Sequence, residues 1–245
     1  SAWVKEFHIW MLGMTAQWMG IMGEHANSVA PLLVSTEQGD LKSTFCKSLL
    51  PAALQRYYMD KVDLTSEGRV ERRLAEIGLL NLDEFDKYPS TKMPLLKNLM
   101  QMASLSLCKA YQKNHRSLPR IASFIGTSNR KELLTDPTGS RRFICVMVKR
   151  PIDCNGIEHK QIYAQLKAEI LSGERYWFTK EEEQVLQKNN LSFYRQGPVE
   201  DVLRSCYRSV EKGEEGELRS AAEIFQCLKK KNPSAMRGAN PASLA

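Results

Sequence analysis

Near the N-terminus, Trp3, Phe7, Trp10, Met11, Met14 and Trp18 recur at three- and four-residue steps, the period of a helix with one apolar face. Aromatic side chains also build base-stacking platforms, but those rarely follow helical periodicity, so this run predicts a helix packed on a core. Gly20, Gly23 and His25-Ala26-Asn27 then lead into an unbroken apolar run over 29–34, which predicts a buried strand. Apolar runs starting at Ile77, Ile121 and Phe143 have the same character, and a short strand is expected within 57–64. Between them the pattern predicts a helix over 44–58 broken at Pro51, a solvated helix over 66–76 and a long helix over 93–108. Beyond Glu158 the strand signals stop. Helices over 162–171, 180–188, 199–210 and 218–230 are separated by Gly173, Gly197-Pro198 and Gly213. The runs Glu181-Glu182-Glu183 and Lys229-Lys230-Lys231 read as solvated faces.

Strands alternating with helices make βαβ units, and a parallel sheet collects the ends of its strands on one edge. The residues just past each apolar run are therefore the ones that can share a site. The run over 29–34 breaks into Ser35-Thr36-Glu37-Gln38-Gly39-Asp40-Leu41-Lys42-Ser43-Thr44, a loop that opens a helix with Lys-Ser-Thr. That is how backbone N–H groups and one lysine are wrapped around phosphates, although Thr36 and Leu41 stand where G-x-x-x-x-G-K-[ST] takes glycine. The run from Ile77 ends in Asp83-Glu84, where one acid can hold the water shell of Mg²⁺ and the next can polarise a water; an acidic helix cap would look the same. The run from Ile121 ends at Asn129, and Arg141-Arg142 precedes Phe143; a turn amide and a surface pair are the plainer alternatives. Taken in order, these tips have the layout of a nucleotide-hydrolysing domain on a parallel sheet.

Composition adds less. The chain has 245 residues, 42% of them hydrophobic and 26% charged, and its net charge of +7 suits a polyanion partner or a soluble surface. The densest basic stretch, Lys109 to Arg120, includes Tyr111, Lys113, His115 and Arg116, and can form a hairpin presented to phosphates or a solvated loop. Six scattered cysteines with no C-x-x-C pair predict neither a zinc site nor a disulfide framework, and a reducing, cytoplasmic setting. Lys5, Glu6 and His8 interrupt the N-terminal apolar run, so neither a signal peptide nor a membrane span is expected. Both ends read as those of a fragment cut from a longer protein.

The motifs Val34 to Gly39 with Lys42 to Cys46, Leu82-Asp83-Glu84-Phe85-Asp86, Ala122 to Asn129, and Asp136-Pro-Thr-Gly139-Ser-Arg141-Arg142-Phe143 together resemble the ATPase domain of the virulence-associated E (VirE) family. That family is related to superfamily 3 helicases and to phage or plasmid primase-helicases. The resemblance implies a P-loop α/β fold, a parallel sheet flanked by helices. It implies a lead-in helix over 1–28, an ATPase core over 29–157 and a helical segment over 158–245 that leads toward a further module. It implies ATP and Mg²⁺ as cofactors, bound by the loop from Glu37, Gln38, Gly39, Asp40 and Leu41 to Thr44. Lys42 would contact the β- and γ-phosphates, Ser43 and Asp83 would ligate Mg²⁺, Glu84 would activate water and Asn129 would orient it. Arg142, or failing it Arg141, would act across a subunit boundary in a homo-oligomeric ring. The basic segment, with Lys109, Lys113, His115 and Arg116, would track single-stranded or forked DNA.

Overall fold

The computed structural model describes residues 2–37, 39–65, 67–108, 115–135, 137–194, 198–208, 210, 214 and 216–241. The chain divides into two units, Ser1–Tyr194 and Arg195–Ala245. The first holds helix α1 (Ala2–Trp18), strand β1 (Ala30–Val34), α2 (Lys42–Ser48), β2 (Tyr58–Asp60), α3 (Glu67–Leu74), β3 (Leu79–Leu82) and α4 (Met93–Gln101). It continues with β4 (Ser104–Cys108), β5 (His115–Pro119), β6 (Ser123–Ser128), β7 (Phe143–Met147), α5 (His159–Leu171) and α6 (Lys180–Asn189). The second unit holds α7 (Pro198–Cys206) and α8 (Ala221–Lys231) around Phe225, Leu228 and Met236.

Five strands form one parallel sheet in the order β2-β3-β6-β1-β7. Side chains alternate across a strand, so a sheet covered on both faces needs apolar residues at every position. Strand β1 shows this directly: Ala30, Leu32 and Val34 enter one apolar cluster and Leu33 the other. On the first face Leu80, Leu82 and Phe124 meet Val70 and Leu74 of α3 and Leu96, Leu99 and Met100 of α4. On the second, Leu79, Ile125 and Ile144 meet α1, Cys46 of α2, Leu166 and Ile170 of α5 and Leu186 of α6. Gly126 lies where β6 runs between β1 and β3. A Cβ there would stand 2.6 Å from Leu32 Cδ2 and 3.1 Å from the Leu82 carbonyl oxygen.

Four sequence expectations need correction. The helix expected over 93–108 stops at Gln101, and Ser104–Cys108 is a strand paired antiparallel with β5. Its Ser-Leu-Ser-Leu alternation has the period of a strand, and Leu105 enters the core. Helix α1 is not simply amphipathic, because all nine residues from Ile9 to Gln17 are buried. The helix within 66–76 is solvated on one side only, since Val70 and Leu74 are core residues. The acidic run starting α6 is tied into the structure. Thr179 and Glu182 form a capping box, Glu182 also takes two hydrogen bonds from Arg175 at 2.7 and 2.8 Å, and Glu183 pairs with Arg141 at 3.5 Å.

The root of the β4–β5 hairpin is fixed by Arg120, whose side chain is fully buried. Its guanidinium donates to the carbonyls of Met102 (2.6 Å), Met100 (2.8 Å), Asn27 (3.2 Å) and Ala122, and lies 5.4 Å from the centre of the Phe124 ring. Burial pulls its pKa down to about 9. Gln17 and Asn27 extend the same polar network between α1 and the start of β6. Among the described residues, no helix is long and apolar enough to cross a membrane.

Candidate functional site

In the parallel register, Val34, Leu82 and Ser128 all end their strands on one edge of the sheet. There β1, which continues into α2, lies between β6 and β7, neither of them consecutive with it in the chain, and open α/β sheets leave a crevice outside the carboxyl ends of such strands. A cavity of about 450 Å³ occupies this edge, lined by Gly39, Asp40, Leu41, Lys42, Ser43, Thr44, Lys61, Asp83, Glu84, Thr127 and Asn129.

The loop after β1 is held by its own polar groups. The Ser35 hydroxyl bonds to the Asp40 carboxylate and accepts from the Glu37 N–H at 3.1 Å, and the Asp40 carbonyl accepts from the Ile152 N–H at 3.2 Å. Lys42 opens α2 with a buried side chain folded back over the loop, its Nζ 3.4 Å from the Glu37 carbonyl. Gly39 takes φ 90° and Leu41 φ 57°. The left-handed turn that the phosphate-loop pattern assigns to glycine at position 41 is therefore made here by leucine, with its side chain exposed.

Across the cavity the Asp83 carboxylate accepts from Ser43 Oγ at 2.9 Å and from Thr127 Oγ1 at 2.6 Å. The Glu84 N–H donates to the same Thr127 oxygen at 3.3 Å, so β6 fixes both acids. Glu84 also has a left-handed backbone, φ 53°, and its carboxylate pairs with Lys87 at 2.5 Å and Lys61 at 3.2 Å. Those two ammonium groups, Lys87 first, hold its pKa below the ordinary carboxylate value. Next along the chain, Asp86 accepts from Ser128 Oγ at 2.9 Å and lies 3.7 Å from Arg130 Nε.

The structure thus gathers Gly39 to Thr44, Asp83, Glu84 and Asn129 around one cavity, with the Glu37 carbonyl on Lys42. Gln38 lies outside the described residues. Arg141 and Arg142 are not gathered there. They immediately precede Phe143, which pairs with Ala30 at the opposite end of β1, roughly 13 Å away at about 3.3 Å per residue. Lys109 and Lys113 lie outside the described residues; in backbone register, His115 and Arg116 pair with Cys108 and Leu107.

Two cavity residues escaped the sequence reading. Lys61 comes after a three-residue strand with no local mark, and only the pairing of β2 with β3 brings it to this edge. Thr127 sat inside a motif singled out for its last residue. Cys46, buried, and Cys145, half-buried against the core, have thiol pKa values pushed up by desolvation and behave as small hydrophobes.

The fold and this edge define an α/β protein of the P-loop type. The chain belongs to the virulence-associated protein E-like domain family, whose family model matches residues 6–195. Residues 196–245 match a second family, a domain of unknown function described from B. theta (DUF3874). No curated protein matches the chain. Solved structures of the NrS-1 C-terminal region are similar to it. The apo structure of region 305–718 aligns at TM-score 0.43 and 13% identity, over 79% of this chain and 49% of that one. Two A-form apo structures align at TM-scores 0.38 and 0.41, with 18% and 14% identity, over 74% and 84% of this chain. The chain spans 38–54% of the length of these three structures.

Proposed function

We propose that this protein is an ATP-hydrolysing motor, a helicase or replication-type ATPase acting on DNA in a mobile-element or phage-like setting. One observation carries the reading: Lys42, Ser43, Asp83, Glu84 and Asn129, drawn from three strand ends, line one open cavity large enough for a triphosphate. Phosphoryl transfer asks the protein mainly for positive charge, a metal and a placed water.

The Ser43–Asp83 pair offers a hydroxyl and a carboxylate, the hard oxygen donors that suit Mg²⁺ when phosphates and waters complete its shell. Bound there, Mg²⁺ would neutralise charge developing on the phosphates. Lys42 supplies the fixed cation, Thr127 orients Asp83, and Glu84 holds a carboxylate at the edge where water enters. Arg142, with Arg141 as the second candidate, stands on the far edge of the sheet and serves a neighbour's cavity in a ring. Single-stranded or forked DNA is the proposed track, contacted by the basic segment that contains Lys109, Lys113, His115 and Arg116.

Mg²⁺-ATP should raise the melting temperature, and the full-length oligomer with single-stranded DNA should turn it over. Lys42→Ala and Glu84→Gln should each cut turnover at least about a hundredfold while DNA binding is retained. No thermal shift and no turnover would end the enzyme reading. Lys113→Ala with Arg116→Ala should weaken single-stranded DNA binding and flatten its dependence on salt; an unchanged slope removes the hairpin from the DNA site. A second reading, a scaffold or DNA-binding module that has lost hydrolysis, is favoured by leucine at the strained loop position and by the double pairing of Glu84. It requires that there be no turnover for the Lys42 and Glu84 substitutions to abolish, and that they leave DNA binding untouched.

A further inference from the structure

Glu84 stands in the wall between two cavities. The 450 Å³ cleft lies on one side, and a cavity of about 350 Å³ that shares Lys61, Asp83 and Glu84 with it lies on the other. The carboxylate is spanned by two ammonium groups, Lys87 Nζ at 2.5 Å from Oε1 and Lys61 Nζ at 3.2 Å from Oε2. The two lysines are not equivalent. Lys87 is three residues further along the same turn, its N–H bonded to the Glu84 carbonyl at 2.8 Å, so it moves with Glu84. Lys61 comes from the end of β2, where its N–H donates to the Asn81 carbonyl at 2.9 Å and a left-handed backbone, φ 63°, turns the chain. Of the pair, only Lys61 lines the cleft, and its side chain is 60% exposed with room to swing.

We propose that Lys61 is a second phosphate-contacting residue that also restrains Glu84: a nucleoside triphosphate entering the cleft draws the Lys61 ammonium from Oε2 of Glu84 to its terminal phosphate. The inference rests on the nucleotide reading of the cleft. A terminal phosphate carries up to about two negative charges where a carboxylate carries one, so at equal distance it is the stronger partner. The exchange does two things at once. It brings a cation to the phosphates from the side opposite a loop whose bulky Leu41 hinders close backbone approach, and it leaves Glu84 with Lys87 alone, one oxygen free to face water.

The test is calorimetric titration of the whole chain with Mg²⁺ and either a non-hydrolysable ATP analogue or ADP. Lys61→Ala should weaken the triphosphate about tenfold and ADP less than about twofold, and Lys61→Arg should restore most of the loss. Glu84→Gln should tighten the triphosphate several-fold in the native background, by releasing Lys61, and have no such effect when Lys61 is alanine. Unchanged triphosphate affinity in Lys61→Ala, equal weakening of both nucleotides, or tightening by Glu84→Gln regardless of Lys61 would each overturn the proposal. If the unsubstituted chain binds and only Lys42→Ala abolishes binding, the nucleotide site stands without Lys61. If the unsubstituted chain binds neither nucleotide, both readings fall together.

Discussion

Among the described residues, Leu41, Lys61 and Glu84 are the non-glycine positions with positive φ, and all three line the same cavity. Each left-handed conformation costs an L-residue about 1–2 kcal/mol, and such strain gathers where a site demands an unusual chain path. Leu41→Gly should therefore stabilise the chain by about 0.5–1 kcal/mol after the extra freedom of glycine in the unfolded state is subtracted, measured by urea denaturation. A destabilised variant would show that the exposed leucine makes a contact worth more than its strain. Lys42, Ser43, Asp83, Glu84 and Asn129 were legible in sequence because each comes after an apolar run that fixes where the strand ends. Lys61 was not, because its importance comes from β2 lying beside β3, a pairing that leaves no trace in local spacing.

Elements were legible where one periodicity dominated. The runs that became β1 and β7 are apolar throughout, and those of β3 and β6 mostly so with a few buried polar residues, because both faces of the sheet are covered. The segment after Gln101 misled because its leucines also fit a helical spacing, and what makes it a strand is the antiparallel partner β5. The start of α6 misled in another way: three glutamates look solvated, yet Glu182 is pinned by Arg175 and by the cap. The Arg175 hydrogen bonds hold its pKa down to about 2, against an ordinary 4.5. A carboxylate whose folded pKa is depressed contributes fully above the unfolded value and loses that contribution as pH falls through the folded one. Glu182→Gln should thus cost about 1 kcal/mol at neutral pH, and the gap from the unsubstituted protein should close between pH 4.5 and 2 in denaturation curves. A gap that persists at pH 2 would assign the loss to the cap instead.

At the scale of the molecule, the parallel register separates two chemistries. The cavity residues sit on one edge of the sheet and the pair Arg141-Arg142 on the other, so neither arginine of that pair lines the cavity of its own chain. The large apolar clusters lie wholly within residues up to Tyr194, and the second unit closes its own small cluster. A chain ending at Tyr194 should accordingly unfold in one cooperative transition with a midpoint within about 4 °C of the corresponding transition in the whole chain, by calorimetry. Loss of cooperativity would mean that the second unit completes the first. The coincidence of strain and cavity has a further consequence for anyone who evolves this protein in the laboratory. Selection for heat tolerance alone would be drawn to the three left-handed positions, where glycine relieves strain without disturbing the core. Those variants would gain robustness by erasing Lys61 and Glu84, so a library screened only for stability would strip two charged groups from the cavity wall.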